Sequence, residues 1–446
     1  MSNASRRPYA ALRHRDFRRL TIGMLVSMTG SQMQNVAIDW HVYVLTHSPL
    51  ALGLIGLTRI VPIVFFSMWG GIVADRFDRR RVMIVTQSAM AAVAAGLAAL
   101  TFGGLEKVWV IYALAACQSA AGAFDAPSRQ SLVPRLVPVE ELPGALAVML
   151  TTFQLAAIGG PALAGLVIAG GAGLFGSGTA AAAEASAHGL VLIYALNATS
   201  FLAVIGALVF MKVSGVVLGP AAEAEPPLVA IRQGLRFVFT TPVMVGTMLL
   251  DFIATFFSGS MSLLPIFADQ VLKAGPAVYG WLRAAPGLGA VVGSLYTSLR
   301  RLPPRQGRVF LWAVAAYGGA TVVFGLSRSF WLTFLALALV GLSDTISTVI
   351  RQTVRQLGTP DALRGRMVGV NMIFFMGGPQ FGELEAGFVA SLFAAPVVGV
   401  TVSVVSGGVV TILVAAAVAA AWPAVRDYDV DASLNAARAD RVEASA

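Results

Sequence analysis

The sequence predicts an all-α membrane protein, with twelve transmembrane helices arranged as two six-helix repeats. Hydrophobic residues make up 57% of the 446-residue chain, and the mean hydropathy is +0.78. A water-soluble core could not bury so much apolar surface, so we expect lipid to cover much of it. The chain also divides into apolar stretches of about 20 residues, each long enough to cross roughly 30 Å of hydrocarbon.

These stretches are rich in Gly, Ala and Leu, which lets helix backbones approach one another closely in lipid. The basic segment before the first stretch has no small-residue cleavage site after its apolar run, so we expect it to be retained. In chain order the predicted spans are 19–45, 50–74, 82–103, 107–127, 142–170, 189–211, 242–268, 276–299, 309–327, 330–350, 366–393 and 397–423.

The net charge of +9 reflects membrane topology and does not indicate nucleic-acid binding. With a cytoplasmic N-terminus, the predicted spans place most of the 31 lysines and arginines on the cytoplasmic side. The exceptions are Lys107, Lys273, Arg328, Arg59 and Arg283. This positive-inside asymmetry predicts a multi-pass protein of the bacterial inner membrane, surrounded by lipid, with both termini cytoplasmic.

A polar segment, 213–241, divides the spans into two groups of six. Its second part, "AIRQGLRFVF", spaces arginines and apolar residues as an amphipathic helix on the membrane surface would. The predicted organisation is a cytoplasmic tail (1–18), an N-terminal bundle (19–212), the linker (213–241), a C-terminal bundle (242–424) and a second cytoplasmic tail (425–446).

The two groups of spans resemble each other in sequence. "GLTRIVP" (56–62) matches "GWLRAAP" (280–286), with Gly, Arg and Pro in register. "RQSLVPRL…GGPALAG" (129–165) matches "RQTVRQLG…GGPQFGE" (351–383) in the same order. Two parallel six-helix repeats joined by a long loop are typical of secondary transporters.

The loop after the second span carries the most specific motif. "GGIVADRFDRRR" resembles the loop 2–3 signature of the major facilitator superfamily, matched by Gly71, Asp75, Arg76, Arg79 and Arg80. "FRRL…GSQMQNVAIDW" and "SRQSLVPRLVPVEELPGALAV" are similar to the drug:proton antiporter branch that holds macrolide-efflux proteins and the enterobactin exporter. The resemblance covers essentially the whole chain and implies alternating access.

Helix 5 follows the antiporter motif of that branch in part. Gly160, Pro161 and Gly165 match it, whereas Ala156 and Ala164 stand where the motif has glycines. The alanines keep the side chains small, but they weaken the inference of antiport.

The resemblance also implies a gating role for Asp75. In this superfamily the motif aspartate latches the two halves at the start of helix 11, here near 364–367, and we expect Arg76 and Arg79 to brace it against acids such as Asp125. The alternative is a plain cytoplasmic turn whose arginines hold the topology.

Helix 1 carries a polar stripe with a spacing of four residues, and helix 7 repeats it. Residues at this spacing share one helical face, so we expect each stripe to line a cavity, although hydrogen bonding to another helix is an alternative. The stripes consist of Ser27, Ser31, Asn35 and Asp39, with Gln34 alongside, and of Asp251, Thr255, Ser258 and Ser262.

Ionisable residues at membrane depth are the main candidates for transport chemistry, because they are costly there and face a partner or water. Asp39 and Arg59 lie at similar depths and are predicted to pair, either as a structural ion pair or as a proton or substrate site. Arg283 repeats Arg59, but the sequence offers it no clear partner, because Asp251 lies too far away in depth.

Further acids and bases lie in helices 4, 10 and 11. Glu383 and Glu385 are candidate proton carriers, although one of them could instead pair with Arg283 or solvate a cavity mouth. Asp125 precedes Arg129 and Asp344 precedes Arg351 at spacings that favour salt bridges on one helical face, with structural or gating roles.

The expected function is efflux of an amphipathic small molecule, a drug, macrolide or siderophore, in exchange for protons. The Gly-rich stretch "GGAGLFGSG" is not followed by the Lys-Ser or Lys-Thr of a nucleotide-binding loop, so we expect an ion gradient to supply the energy. The histidines and the single cysteine form no metal-ligand cluster, and we expect no cofactor. The alternatives are a proton-coupled importer and a sensor or scaffold that moves nothing. We expect a monomer and no enzymatic activity.

Overall fold

The computed structural model describes residues 10–175, 179–213, 233, 236–300, 303, 305–359 and 364–430. Twelve long helices follow one another in the described chain, and no strand occurs among these residues. They are α1 Arg15–Thr46, α2 Pro49–Arg76, α3 Arg79–Phe102, α4 Val108–Leu132, α5 Leu142–Phe175, α6 Thr179–Val209, α7 Pro242–Phe257, α8 Pro276–Leu299, α9 Gln306–Leu326, α10 Phe330–Gly358, α11 Arg364–Ser391 and α12 Pro396–Ala421.

Most of these helices are apolar enough to cross a membrane. The segments of the described chain that meet this condition lie in all the long helices except α1, α8 and α11. Those three carry Asp39, Arg283 and the Glu383–Glu385 pair, and such charges lower the hydropathy of a helix. The predicted class, an all-α membrane protein with twelve spans in two repeats, is confirmed.

Several helices extend beyond their predicted spans, helices 4 and 10 among them. The sequence predicts helix 4 over 107–127, but the helix extends to Leu132, and it predicts helix 10 over 330–350, but that helix extends to Gly358. A hydropathy pattern ends where charges begin, whereas backbone hydrogen bonding continues into the polar interface. The predicted span 330–350 places Asp344 near the cytoplasmic end of helix 10, whereas in the structure it lies at the middle of α10, 14 residues after Phe330 and 14 before Gly358.

The seventh span is interrupted. The sequence predicts one helix over 242–268, but α7 ends at Phe257, and short turns at Met261–Leu263 and Leu264–Ile266 lead into a π-helical stretch, Phe267–Val271. Pro265 contributes to the break because it has no N–H to donate to the preceding turn.

The chain forms two compact units. Unit 1 contains Met1–His47, Leu57–Glu223 and Ala268–Ala284, and unit 2 contains Ser48–Gly56, Ala224–Phe267 and Ala285–Ala446. These units differ from the predicted bundles, because the start of α2 groups with unit 2 and the segment from the π-helix into α8 groups with unit 1. Most of the predicted linker lies outside the described residues. Within the part that the structure describes, 233 and 236–240 are helical.

Unit 1 contains an apolar core and a close crossing of α5 and α8. Phe17, Leu20 and Met24 of α1 are almost completely buried within this core. At the crossing, a Cβ on Gly165 of α5 would lie 2.6 Å from the Pro276 carbonyl oxygen and 2.8 Å from the Gly280 Cα. Only glycine fits at this separation.

Unit 2 contains the same kind of crossing between the start of α2 and α11. A Cβ on Gly387 would lie 2.6 Å from the Pro49 carbonyl oxygen and 2.8 Å from the Gly53 Cα. A reciprocal glycine pair with a proline one turn earlier thus occurs once in each unit. The internal repeat seen in the sequence extends to helix packing.

Candidate functional site

The polar stripe of α1 divides between packing and open positions. Gln34 accepts a hydrogen bond of 2.8 Å from the Asn197 side chain of α6, and both residues are buried. Ser31 and Asn35 are partly exposed. The alternative of interhelical hydrogen bonding therefore applies to Gln34, whereas a lining role for Ser31 and Asn35 stays a prediction.

The stripe of α7 is used mainly for packing. Ser258 lies 2.8 Å from the Thr411 hydroxyl of α12, and Ser262 donates to the Glu383 carbonyl oxygen at 3.4 Å. Thr255 donates to the backbone carbonyl of Asp251 at 2.8 Å. Asp251 alone directs a charge towards a neighbouring helix.

Asp39 is the centre of a buried cluster in unit 1. Arg59 Nη2 lies 2.8 Å from Asp39 Oδ1, with the two side chains 14% and 3% exposed. The Tyr279 hydroxyl of α8 donates to Asp39 Oδ2 at 3.3 Å, and the Tyr279 ring stacks on Trp40. The structure contains the predicted ion pair, and its role in transport stays a prediction.

Beside this cluster, Tyr43 makes two contacts that the sequence did not predict. Tyr43, one turn after Asp39, donates a hydrogen bond to Asp269 of the π-helical stretch and accepts one of 3.3 Å from Gln270. Arg283 lies one turn after Tyr279 and is partly buried. The sequence could not reveal the Tyr43 contact, because a π-helix has no recognisable apolar period.

Asp125 of α4 has three polar partners. It accepts hydrogen bonds from Thr86 at 3.2 Å and Gln87 at 2.9 Å, both on α3, and Arg129 lies 3.5 Å away. The predicted contact between Asp125 and Arg129 is present. The acid is 4% exposed and has one guanidinium and two neutral donors.

The corresponding site in unit 2 contains one more carboxylate. Arg351 of α10 forms an ion pair with Asp251 of α7 and lies 3.5 Å from Asp344. The sequence paired Arg351 with Asp344 only. The depths of the two residues in their helices could have indicated this pair. Asp251 lies nine residues from the start of α7, and Arg351 lies seven residues from the end of α10.

A pocket adjoins this unit 2 site. Asp251 and Asp344 line it, together with the hydroxyl-bearing residues Thr255, Tyr317, Ser343 and Ser347. Its empty volume is about 210 Å³, including the open mouth. The Asp344 side chain is 44% exposed, whereas that of Arg351 is 4% exposed. Solvent therefore reaches the second carboxylate.

The two glutamates of α11 differ in burial. Glu383 is 5% exposed and lies against the start of α2, where a Cβ on Gly56 would be 3.0 Å from its Cβ. Glu385 is partly exposed. Proton carriage by either residue stays a prediction.

The arginines of the motif after α2 donate hydrogen bonds to backbone carbonyls near the ends of other helices in unit 1. Arg79 donates to the Ser131 carbonyl at 3.1 Å, and Arg80 donates to the carbonyls of Met211 at 3.1 Å and Val209 at 2.8 Å. Arginines at helix C-termini meet unpaired carbonyls and the negative end of the helix dipole.

Asp78, which is not a motif residue, caps α3 by accepting from the backbone N–H of Arg80 at 2.9 Å. The side chain of Asp75 and the start of α11 lie outside the described side chains, so the latch stays a prediction. Gly71 has open space at its Cβ position, and it is Gly70 that closely approaches Ala123 of α4.

The helix 5 motif is a packing surface. Besides the Gly165 crossing, a Cβ on Gly160 would lie 2.5 Å from the Gln32 Cβ of α1. Ala156 and Ala164, at the two departures from the motif, are completely buried. Among the described residues no group of His, Cys, Asp and Glu has the arrangement of a metal site.

A family model described as "Transmembrane secretion effector" matches residues 6–444. The chain belongs to this family. The chain is also 26% identical over 358 residues to "Enterobactin exporter EntS" from Escherichia coli O81 and from O127:H6, covering 80% of this chain and 81% of each relative.

Solved structures share its fold. A bacterial homologue of the human lysosomal transporter Spinster, in an inward-facing and unoccupied conformation, has a TM-score of 0.66 at 14% identity, covering 94% of this chain and 96% of that one. A D-xylose–proton symporter has a TM-score of 0.68 at 14% identity, covering 90% and 95%. Together with the family match over residues 6–444, this fold shows that the protein is a membrane transporter of the major facilitator type.

Proposed function

We propose that this protein exports an amphipathic small molecule, a drug, macrolide or siderophore, across the bacterial inner membrane in exchange for protons. The charge distribution of the sequence supports placing both termini in the cytoplasm. The proposed transporter works as a monomer and needs no bound cofactor, because the proton gradient supplies the energy.

The observation that carries this proposal is the set of acid–arginine contacts within membrane-spanning helices. Asp39, Asp125 and Asp251 are all buried and each lies within 4 Å of an arginine. Charges at this depth are costly and usually belong to ion or substrate pathways. The likeness to an enterobactin exporter supports the direction of transport and the size of the solute.

The energy available is sufficient for useful export. One proton that crosses a potential of 100 mV supplies about 2.3 kcal/mol, which corresponds to a concentration ratio of about 50. In this proposal the partly exposed Ser31 and Asn35 of α1 bind the polar part of the solute.

The test is the direction of transport in oriented vesicles. Inside-out membrane vesicles that contain the protein are energised with a proton gradient and supplied with enterobactin as the probe. We expect enterobactin to accumulate in these vesicles and not in right-side-out ones. Accumulation in right-side-out vesicles alone would mean an importer, and binding without accumulation in either would mean a sensor.

A further inference from the structure

The two membrane-depth sites on α4 and α10 differ in charge balance. On α4, the single carboxylate Asp125 faces the single guanidinium of Arg129, with Thr86 and Gln87 as neutral donors. At the second site, Arg351 of α10 contacts two carboxylates, that of Asp251 on α7 and that of Asp344 on α10. One acid of the second site is therefore in excess over the base it contacts.

Asp344 is the acid in excess. Arg351 is held by Asp251 through the closer contact, and its Nη2 also donates to Thr348 at 2.8 Å. Arg355 acts electrostatically on Asp251, but it lies 11 residues, or about 16 Å, from Asp344 along α10. An extra negative charge in this low-dielectric region is unfavourable, and binding a proton removes it.

Among the residues that the structure describes, the groups that face Asp344 give it no second cation. On its own helix it meets Arg351, and on α7 the acid Asp251. On α9 the pocket wall contributes the hydroxyl of Tyr317. On α8 the positions against this part of α10 are the glycines Gly289 and Gly293, which carry no charge.

Solvent reaches Asp344 but hardly reaches its neighbours. Its side chain is 44% exposed to the pocket, compared with 8% for Asp251 and 4% for Arg351. The pocket is lined by hydroxyl groups, which can hydrogen-bond both a water chain and a protonated carboxyl. A proton can enter and leave at Asp344 without breaking the buried ion pair behind it.

We propose that Asp344 binds the coupling proton of the transport cycle, with Asp251 and Arg351 as the fixed ion pair beside it. Protonated Asp344 is a neutral hydrogen-bond donor, and the three-residue cluster is then electrically neutral. When the proton leaves, Arg351 is shared by two carboxylates and the cluster carries one negative charge. The inference rests on the proposed proton-coupled export and adds to it the residue that binds the proton.

The first test is independent of any transported solute. The full-length protein is reconstituted in lipid, and infrared difference spectra between acidic and alkaline buffer record the carboxylic-acid C=O band. We expect Asp344→Asn to remove a band that titrates in the wild type, whereas Asp125→Asn and Glu385→Gln leave it. A wild-type spectrum without such a band, or one that Asp344→Asn does not change, would overturn the proposal.

The same variant also serves as a control for folding. Asp344→Asn imitates the protonated state and leaves the Asp251–Arg351 pair intact, so we expect it to be as heat-stable as the wild type. Asp251→Asn, which removes the nearer partner of Arg351, should be less stable. If Asp344→Asn were the less stable of the two, the roles assigned here to the two acids would be wrong.

The second test measures coupling with enterobactin as the probe. In inside-out vesicles at about 100 mV, the wild type should accumulate the probe up to about 50-fold, and Asp344→Asn should only equilibrate it. Asp427→Asn, which changes an exposed acid outside the membrane-spanning helices, should behave as the wild type does.

The assignment would be overturned if Asp344→Asn accumulated the probe, or if only Glu385→Gln lost accumulation. It would also be overturned if a sodium gradient drove accumulation in place of the proton gradient. A wild type that does not respond to the proton gradient would instead contradict the proposed function. The infrared titration would then still decide whether Asp344 binds a proton.

Discussion

At the scale of single residues, ion pairing determines which charges are tolerated within the membrane-spanning helices. Asp39 is paired with Arg59 and accepts a hydrogen bond from Tyr279, and it is 2% exposed. Breaking such a buried pair costs about 3–5 kcal/mol, because a charge remains in a region of low dielectric. An exposed pair is worth much less.

Asp39→Asn should therefore lower the stability of the protein in detergent by about 3 kcal/mol and reduce transport. Thermal unfolding and probe efflux measure the two effects. The matched control is Asp427→Asn, where the acid pairs with the exposed side chains of Arg426 and Arg308 and the hydrogen bond from Arg426 lowers the pKa of Asp427. The exchange of residues 39 and 59 should partly restore stability, and equal stability of both single variants would contradict this account.

Residue spacing revealed part of this site. The depths of Asp39 and Arg59 in neighbouring helices were sufficient to predict their contact, and so was the one-turn spacing of Asp125 and Arg129. Asp251 was missed as the partner of Arg351, because helix 10 was ended at 350 and Arg351 was placed at the membrane edge. The contact of Tyr43 with Asp269 depends on a π-helix, whose geometry leaves no pattern in the sequence.

At the scale of helices, glycine pairs determine how closely the backbones approach. Gly165 faces Gly280 in unit 1, and Gly53 faces Gly387 in unit 2. In lipid this close approach gains dispersion energy and weak C–H···O contacts. The sequence predicted small residues along helix 5, but it could not show which glycine meets another helix.

Gly165→Ala should force α5 and α8 apart, at a cost of about 1–3 kcal/mol. Gly159→Ala is the matched control on the same helix, because its Cβ position is open, and it should gain up to about 1 kcal/mol of helix propensity. Thermal unfolding in detergent compares the two variants. A smaller loss for Gly165→Ala than for Gly159→Ala would show that the crossing is not tightly packed.

The arginines after α2 act on helix ends, so their effect should be local. Arg80→Ala removes the donors to the carbonyls of Val209 and Met211. The free energy of local opening at the end of α6 should therefore fall by about 1 kcal/mol, which corresponds to about fivefold faster amide exchange there. Arg81→Ala, whose exposed side chain is next in sequence, is the control. Hydrogen exchange that is unchanged in Arg80→Ala would leave the motif a purely topological role.

At the scale of the whole molecule, the class and the number of helices followed from hydropathy and length, because lipid imposes both. The grouping of helices into units did not follow. The segments 48–56 and 268–284 each group with the other repeat's unit, through contacts that the order of helices along the chain does not specify. The latch at Asp75 belongs to this scale and stays a prediction.

The central claim is that the protein exchanges protons for an amphipathic small molecule. The most direct measurement uses the purified protein in proteoliposomes loaded with enterobactin and a pH-sensitive dye, with a proton gradient imposed across the membrane. The account predicts that enterobactin efflux and proton influx rise together and that both stop when the gradient is collapsed. Enterobactin efflux with no accompanying proton influx would contradict it.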